Sequence, residues 1–254
     1  MALGWPFLAV GQQAEPSHAS FLRSQAIRDS LVIVGKESPG NKLLQDCPET
    51  DFLIGKSSSV PKGFVKVEPT YANKEVYLDA EVYEAFKRMA EDMKREGLEL
   101  TIISGYRSFN HQKLIWERKW SLYEGLADSM RVREILTFSS MPGISRHHWG
   151  TDLDINFLEN HYFESGYGLK VYRWLSENAM HYGFYQPYGS KQNGRSGFEE
   201  EKWHWSYYPL ANEYLNCYKS DNQIVEKITG FHGSAYYRLY NLLDTYVQGV
   251  DRIE

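Results

Sequence analysis

From Leu78 onward the apolar residues change period several times, and the changes do not follow a regular βαβ rhythm. Val82, Phe86, Met89 and Met93 recur at helical spacing, with Asp79 placed to cap a helix over 79–96 and Gly97 to stop it. A strand is expected over 98–103, followed by helices over 109–120 and 131–138. Pro142-Gly143 then breaks the chain into a loop. Residues 151–157 alternate as a strand, 172–182 read as a helix ended by Gly183, and 189–197 form a polar Gly/Ser-rich loop. A short aromatic strand over 203–207 precedes helices near 209–218 and 236–247. Such a mixture predicts an α+β fold, a small antiparallel sheet with flanking helices. Before Leu78 the signals are weaker: 25–34 fits a short helix or strand, and Gly55 to Pro61 reads as a loop. The expected division is an N-terminal extension over 1–70, a main domain over 71–220, and a C-terminal helical extension over 221–254 packed on that domain.

The net charge of −5 and the lack of a basic run argue against a nucleic-acid partner. No apolar stretch approaches the roughly 18 residues of a membrane span. Phe7 to Val10 is a short apolar run without a positively charged flank, which fits either the remains of a secretory signal or an unstructured end. Cys47 and Cys217 lie in no C-x-x-C pattern, so a cysteine-rich metal site is not expected. Two free buried thiols is the expectation for them, with a disulfide as the alternative in an oxidising compartment. The 19 tyrosines and 7 tryptophans can fill a core or line a substrate groove.

Ser145-Arg146-His147-His148-Trp149-Gly150-Thr151-Asp152-Leu153-Asp154 places two imidazoles and two carboxylates within ten residues. Asp152 and Asp154 are two apart on the expected strand and share a face, while Leu153 and Ile155 point to the core. A histidine at the loop end and an aspartate on the strand can converge on one metal ion. Alone, the segment reads equally well as a polar hairpin edge. Farther on, Glu201-Lys202-Trp203-His204-Trp205 puts His204 on the face opposite the two tryptophans. His204 becomes a candidate third ligand because the first segment supplies two others. Glu201, three residues earlier, is near enough to act on a water at the same metal. Three protein ligands, one open position and a carboxylate outside the ligand set make the catalytic zinc pattern. Upstream, Ser104-Gly105-Tyr106-Arg107-Ser108 runs from a strand into a loop, with Gln112 beyond it. Arg107 fits a surface salt bridge, or a fork of donors for a carboxylate or an oxyanion.

Together these segments resemble the VanY-type D-alanyl-D-alanine carboxypeptidases, within the LAS metallopeptidases that also include lysostaphin and the hedgehog fold. That family's pattern is S-x-H-x-x-G-x-A-x-D, then E-x-W-H, with an upstream S-x-Y-R-S and a glutamine. Ser145, His147, Gly150 and Asp154 stand in register with the first motif. Glu201, Trp203 and His204 match the second, and Ser104, Tyr106, Arg107, Ser108 and Gln112 the third. The resemblance covers about 80–210 and implies an LAS/hedgehog-like zinc peptidase fold. It implies Zn2+ held by His147, Asp154 and His204, with Glu201 activating water. Arg107, Gln112 and Ser145 are implied to handle substrate, Arg107 also as an oxyanion donor, and Tyr106, Trp149 and Trp203 to wall the cleft. The implied partner is a peptidoglycan stem peptide, and the implied location is periplasmic or otherwise extracytoplasmic. Rival activities are an L,D-carboxypeptidase, a D-Ala-D-Ala dipeptidase, a cell-wall endopeptidase, and an inert zinc-containing binding module. One departure stands out. Asp152 occupies the place of the family's alanine, where it can support a ligand histidine, add negative charge or compete as a ligand.

Overall fold

Asp79 ends one strand and begins the longest helix. Its carboxylate accepts a hydrogen bond from the backbone N–H of Glu81 at 2.8 Å, satisfying an orphan donor of the first turn. The helix that follows, α2 (Ala80–Arg95), buries Val82, Phe86, Met89 and Met93 completely. At about 1.5–3 kcal/mol for each such side chain, this apolar stripe outweighs what helical propensity alone supplies. The computed structural model describes residues 47–251 and residue 253. The element expected over 25–34 and the apolar run near the N-terminus lie outside the described residues.

In chain order the other elements begin with α1 (Thr50–Leu53), β1 (Phe64–Lys66) and β2 (Tyr77–Asp79), ahead of α2. After it come β3 (Ile102–Ser104), α3 (Phe109–Leu122), α4 (Asp128–Leu136), β4 (Asp152–Ile155), α5 (Gly166–Asn178), β5 (Phe184–Tyr185) and β6 (His204–Tyr207). The chain closes with α6 (Tyr208–Ser220), α7 (Ile224–Lys227) and α8 (Tyr236–Leu239). β1 and β2 form a small antiparallel hairpin, and the main sheet is antiparallel with strand order β3-β4-β6-β5. This is the expected α+β arrangement.

The β4–β6 register decides where the polar residues go. Asp152 lies opposite Ser206, Leu153 opposite Trp205, and Asp154 opposite His204. Because alternate residues face opposite sides, Leu153, Ile155 and Trp205 join a core with α2 and α5. Asp152, Asp154, His204 and Ser206 share the other face. A second apolar cluster gathers α1, α3, α4 and the C-terminal elements around Trp149, Tyr218 and Leu242.

Several boundaries differ from expectation. The helix expected from Tyr172 starts at Gly166, because Gly166 and Gly168 are poor helix formers and hide its first turn. The stretch expected to be one helix over 236–247 is α8 and a separate turn of π-helix over Leu243–Val247, with Asn241 at φ +46° between them. The expectation of free buried thiols does not hold. Cys47 is exposed rather than buried, and it is disulfide-bonded to Cys217 on α6 across a sequence separation of 170. The pairing arises because the segment around α1 folds back onto the C-terminal part. There Thr50 Oγ1 donates to Asp221 at 2.6 Å and Lys227 pairs with Asp51 at 2.9 Å. None of those contacts has a local sequence signal.

Candidate active site

His147 sits in a 3-10 turn, Arg146–Trp149, that ends at Gly150 with φ +67°. A side chain at Gly150 would strike the ring of Phe64 on β1, so the residue is fixed both by its left-handed backbone and by close packing. His147 Nδ1 lies 2.8 Å from the carbonyl oxygen of Gly105. That bond places the proton on Nδ1 and leaves the Nε2 lone pair free. Gly105 in turn lies so near the Tyr77 carbonyl that a Cβ there would stand 2.6 Å from it. On β6, His204 does the reverse. Its Nε2 bonds Asp152 Oδ2 at 2.8 Å, so Nδ1 is the nitrogen turned toward Asp154.

The two inward-turned nitrogens and Asp154 Oδ1 converge. Nε2 of His147 is 3.3 Å from Asp154 Oδ1, Nδ1 of His204 is 3.0 Å from it, and the ligand atoms of the three residues lie within 4.8 Å of one another. His147 Nε2 and Asp154 Oδ1 are buried and have no hydrogen-bond partner. Buried polar atoms without partners are costly, and a cation shared by all three resolves that cost. Two imidazoles and one carboxylate fit a zinc-type divalent ion with an open position. The residues therefore fit the implied metal.

Glu201 stands at the rim of this cluster, its Oε2 3.5 Å from His204 Nδ1. Considering the protein groups alone, burial and then the charge of Asp154 push Glu201 up to about 8, against the opposing pull of His204 and Arg107. Burial alone would raise Asp154, but His147 and His204 outweigh it and hold the carboxyl well below its usual range. Burial, with Arg107 adding to it, lowers His147. Burial would lower His204 too, but Asp152 and Asp154 outweigh it and hold that imidazole up to about 9. Asp152 is held well below the usual carboxylate range, with Arg146 and His204 outweighing the effect of burial.

Arg107 leaves the end of β3 with its Nη2 3.4 Å from Asp154 Oδ2. Gln112, fully buried on α3, accepts from Arg107 Nη1 at 3.0 Å and donates to the Ser140 carbonyl at 2.7 Å. Gln112 thus holds the guanidinium against the loop that follows α4. Arg107, Ser145, His147, Glu201 and His204 line one narrow pocket. The rings that border it are Phe138, Tyr188 and Phe198. The three aromatic residues expected at the wall lie elsewhere. Trp203 belongs to the core and lies behind Phe138, which borders the pocket, while Tyr106 meets Phe64 edge-on and faces a neighbouring groove beside Lys56 and Lys113. Trp149 is buried, donating its Nε1–H to the Leu53 carbonyl at 3.0 Å.

Sequence reasoning misses three residues around the site. His148 bridges two loops, with Nδ1 2.6 Å from the Arg107 carbonyl and Nε2 accepting from the Gly143 N–H at 3.1 Å. Tyr188 packs against His204 at a tilt of 50°, with ring centroids 4.8 Å apart. Arg146 is fully buried and pairs with Asp152 at 3.0 Å.

The sequence model of the VanY family, described as D-alanyl-D-alanine carboxypeptidase, matches residues 75–210. The chain belongs to the VanY family. Every member of the convergent cluster falls inside that span. This VanY-family chain is 32% identical over 198 residues to the YodJ protein of Bacillus subtilis strain 168, covering 73% of this chain and 68% of the relative. It is 27% identical over 158 residues to a D-alanyl-D-alanine carboxypeptidase of Enterococcus faecalis, covering 61% of this chain and 57% of that protein. Among solved structures, the LdcB LD-carboxypeptidase superposes with a TM-score of 0.50 at 25% identity, covering 68% of this chain and 81% of that one.

Proposed function

We propose that this chain is a zinc-dependent carboxypeptidase that removes the terminal D-amino acid from peptidoglycan stem peptides, with D-Ala-D-Ala as the preferred end. The observation that carries this reading is the convergence of two orphaned buried ligand atoms and a correctly turned imidazole beside Glu201 and Arg107 in a single pocket. His147, Asp154 and His204 would hold the ion. When bound, a divalent ion supplies Lewis acidity to water and to a carbonyl oxygen at neutral pH. Glu201, buried and free of the ligand set, takes a proton from the attacking water and passes it to the leaving amine. Arg107, held by Gln112, presents a planar set of donors to the substrate's terminal carboxylate or to the developing oxyanion. The narrow pocket suits a small side chain at the peptide end.

An extracytoplasmic site of action is part of the proposal. A cell-wall substrate requires it, and the Cys47–Cys217 bond belongs to an oxidising compartment. Among the described residues no helix is long and apolar enough to cross a membrane. The test is turnover of a pentapeptide ending in D-Ala-D-Ala, a tetrapeptide ending in L-Lys-D-Ala and the free dipeptide, with products read by mass spectrometry. Release of D-Ala from the pentapeptide alone supports the D,D-carboxypeptidase. Preference for the tetrapeptide would move the assignment to L,D cleavage, the activity named for LdcB. No turnover of any of them by the metal-loaded protein would leave the inert binding module.

A further inference from the structure

Asp152, on the strand that carries Asp154, is not one of the three convergent ligands. All of its hydrogen-bonding capacity is engaged elsewhere. Its Oδ2 accepts from Arg146 Nε at 3.0 Å and from His204 Nε2 at 2.8 Å. Its Oδ1 accepts from the hydroxyls of Thr151 at 2.8 Å and Ser206 at 2.7 Å. Ser206 is also bonded by Arg146 Nη2 at 2.7 Å, and the guanidinium lies over the Trp149 ring, 5.0 Å from its centroid. Asp152 and Ser206 are completely buried and Arg146 nearly so. An isolated buried carboxylate or guanidinium is very costly, and here each charge is paired with the other, Asp152 with all four acceptor positions filled and Arg146 through Nε and Nη2, its Nη1 alone lacking a partner.

We infer that Asp152 and Arg146 form a positioning pair that fixes the ring angle and tautomer of His204. The inference rests on His147, Asp154 and His204 holding a metal ion, and adds a function for a buried carboxylate outside that ligand set. A ligand histidine needs its outer N–H held so that the inner lone pair points at the metal, and a carboxylate is an effective holder. Asp152 meets that need from two residues along the strand that carries Asp154, so one β-ladder aims both a ligand and its support. Arg146 neutralises Asp152 and occupies the oxygen that faces His204. The extra carboxylate therefore neither competes for the ion nor adds uncompensated negative charge. Arg146 comes from the turn that carries His147, so the pair also ties the two histidine-bearing elements together.

The test is zinc affinity by chelator competition, measured on full-length wild type, Asp152→Ala, Asp152→Asn and the double variant Arg146→Met/Asp152→Ala. Folding of each is checked by circular dichroism. Asp152→Ala is expected to weaken zinc binding by about 10–100-fold, the scale of losing an outer partner of a metal ligand. Asp152→Asn keeps an acceptor for His204 and should retain most of the affinity. The double variant leaves no buried charge unpaired, so it should fold even where the single alanine variant does not, and still bind zinc weakly. The visible spectrum of the cobalt(II)-substituted protein should shift in the alanine variants, because the ligand geometry changes. A merely structural role would lower the melting temperature of the metal-free protein while leaving both affinity and spectrum unchanged. Wild-type affinity in a folded Asp152→Ala or double variant overturns the positioning role and leaves the metal site standing. A loss in Asp152→Asn as large as in Asp152→Ala overturns the orienting part. A wild-type chain that takes up no zinc overturns the metal site itself, and the pair with it.

Discussion

Asp154 and His204 face each other across the β4–β6 ladder, with His204 Nδ1 3.0 Å from Asp154 Oδ1. Cross-strand pairing thus delivers two of the three candidate ligands, and the third arrives on the turn before β4. His204→Ala should abolish stoichiometric zinc at modest metal concentration, because Asp154 and His147 alone leave the ion underligated. Metal analysis after gel filtration checks this. Full zinc retention would remove His204 from the ligand set.

Glu201→Ala should leave the fold and the bound zinc intact and lower kcat by at least about a hundredfold, the scale of a lost general base. Glu199 is the control. It pairs with Lys191 at 2.6 Å near the surface, so its alanine variant should be much milder. A folded, zinc-loaded Glu201→Ala protein with near-wild-type kcat would contradict the role.

The candidate ligand set and Glu201 can be proposed from the sequence because three short motifs resemble the family's pattern and each keeps its chemistry within a local spacing. Asp152 and Asp154 alternate with Leu153 and Ile155 on β4, and Glu201 stands three residues ahead of His204. Helix α2 is legible for the same reason, since cap, stripe and stop lie in one continuous segment. What escapes such reading depends on long-range contacts. The β1–β2 hairpin has strands of only three residues separated by a ten-residue connection. Tyr188 reaches His204 only through tertiary packing. The Cys47–Cys217 bond needs the chain to return after 170 residues, and no local pattern encodes that.

The disulfide should contribute appreciably to stability, because a cross-link spanning most of the folded chain restricts the unfolded state strongly. Reduction, or the Cys47→Ser/Cys217→Ser pair, is expected to cost about 2–5 kcal/mol. Denaturant unfolding with and without reductant measures it. An unchanged midpoint would mean that the contacts of Thr50 and Lys227 already hold this end in place.

Arg107 offers the sharpest test of how the enzyme would find a chain end. A carboxypeptidase must tell a terminal carboxylate from an internal amide, which calls for a cation that stays charged and has a fixed donor geometry. Arginine meets both needs, whereas lysine offers a point charge. Gln112 holds Arg107 Nη1 at 3.0 Å and is itself anchored to Ser140, so the guanidinium plane is set before substrate arrives. Its Nε is buried and has no partner, and its weak 3.4 Å contact with Asp154 leaves it free to redirect donors toward substrate. If Arg107 binds the carboxylate, Arg107→Lys should weaken kcat/KM on the free-acid peptide by about 1.5–3 kcal/mol, the scale of a charge-assisted hydrogen bond. The C-terminally amidated peptide, which has no carboxylate to lose, should suffer much less. If Arg107 instead serves the oxyanion, both peptides should lose equally, mainly in kcat. Gln112→Ala should reproduce part of the same pattern, since it frees the guanidinium without removing it. Equal losses on acid and amide would reject the carboxylate role in favour of the oxyanion, and no loss on either would leave Arg107 as a structural partner of Asp154.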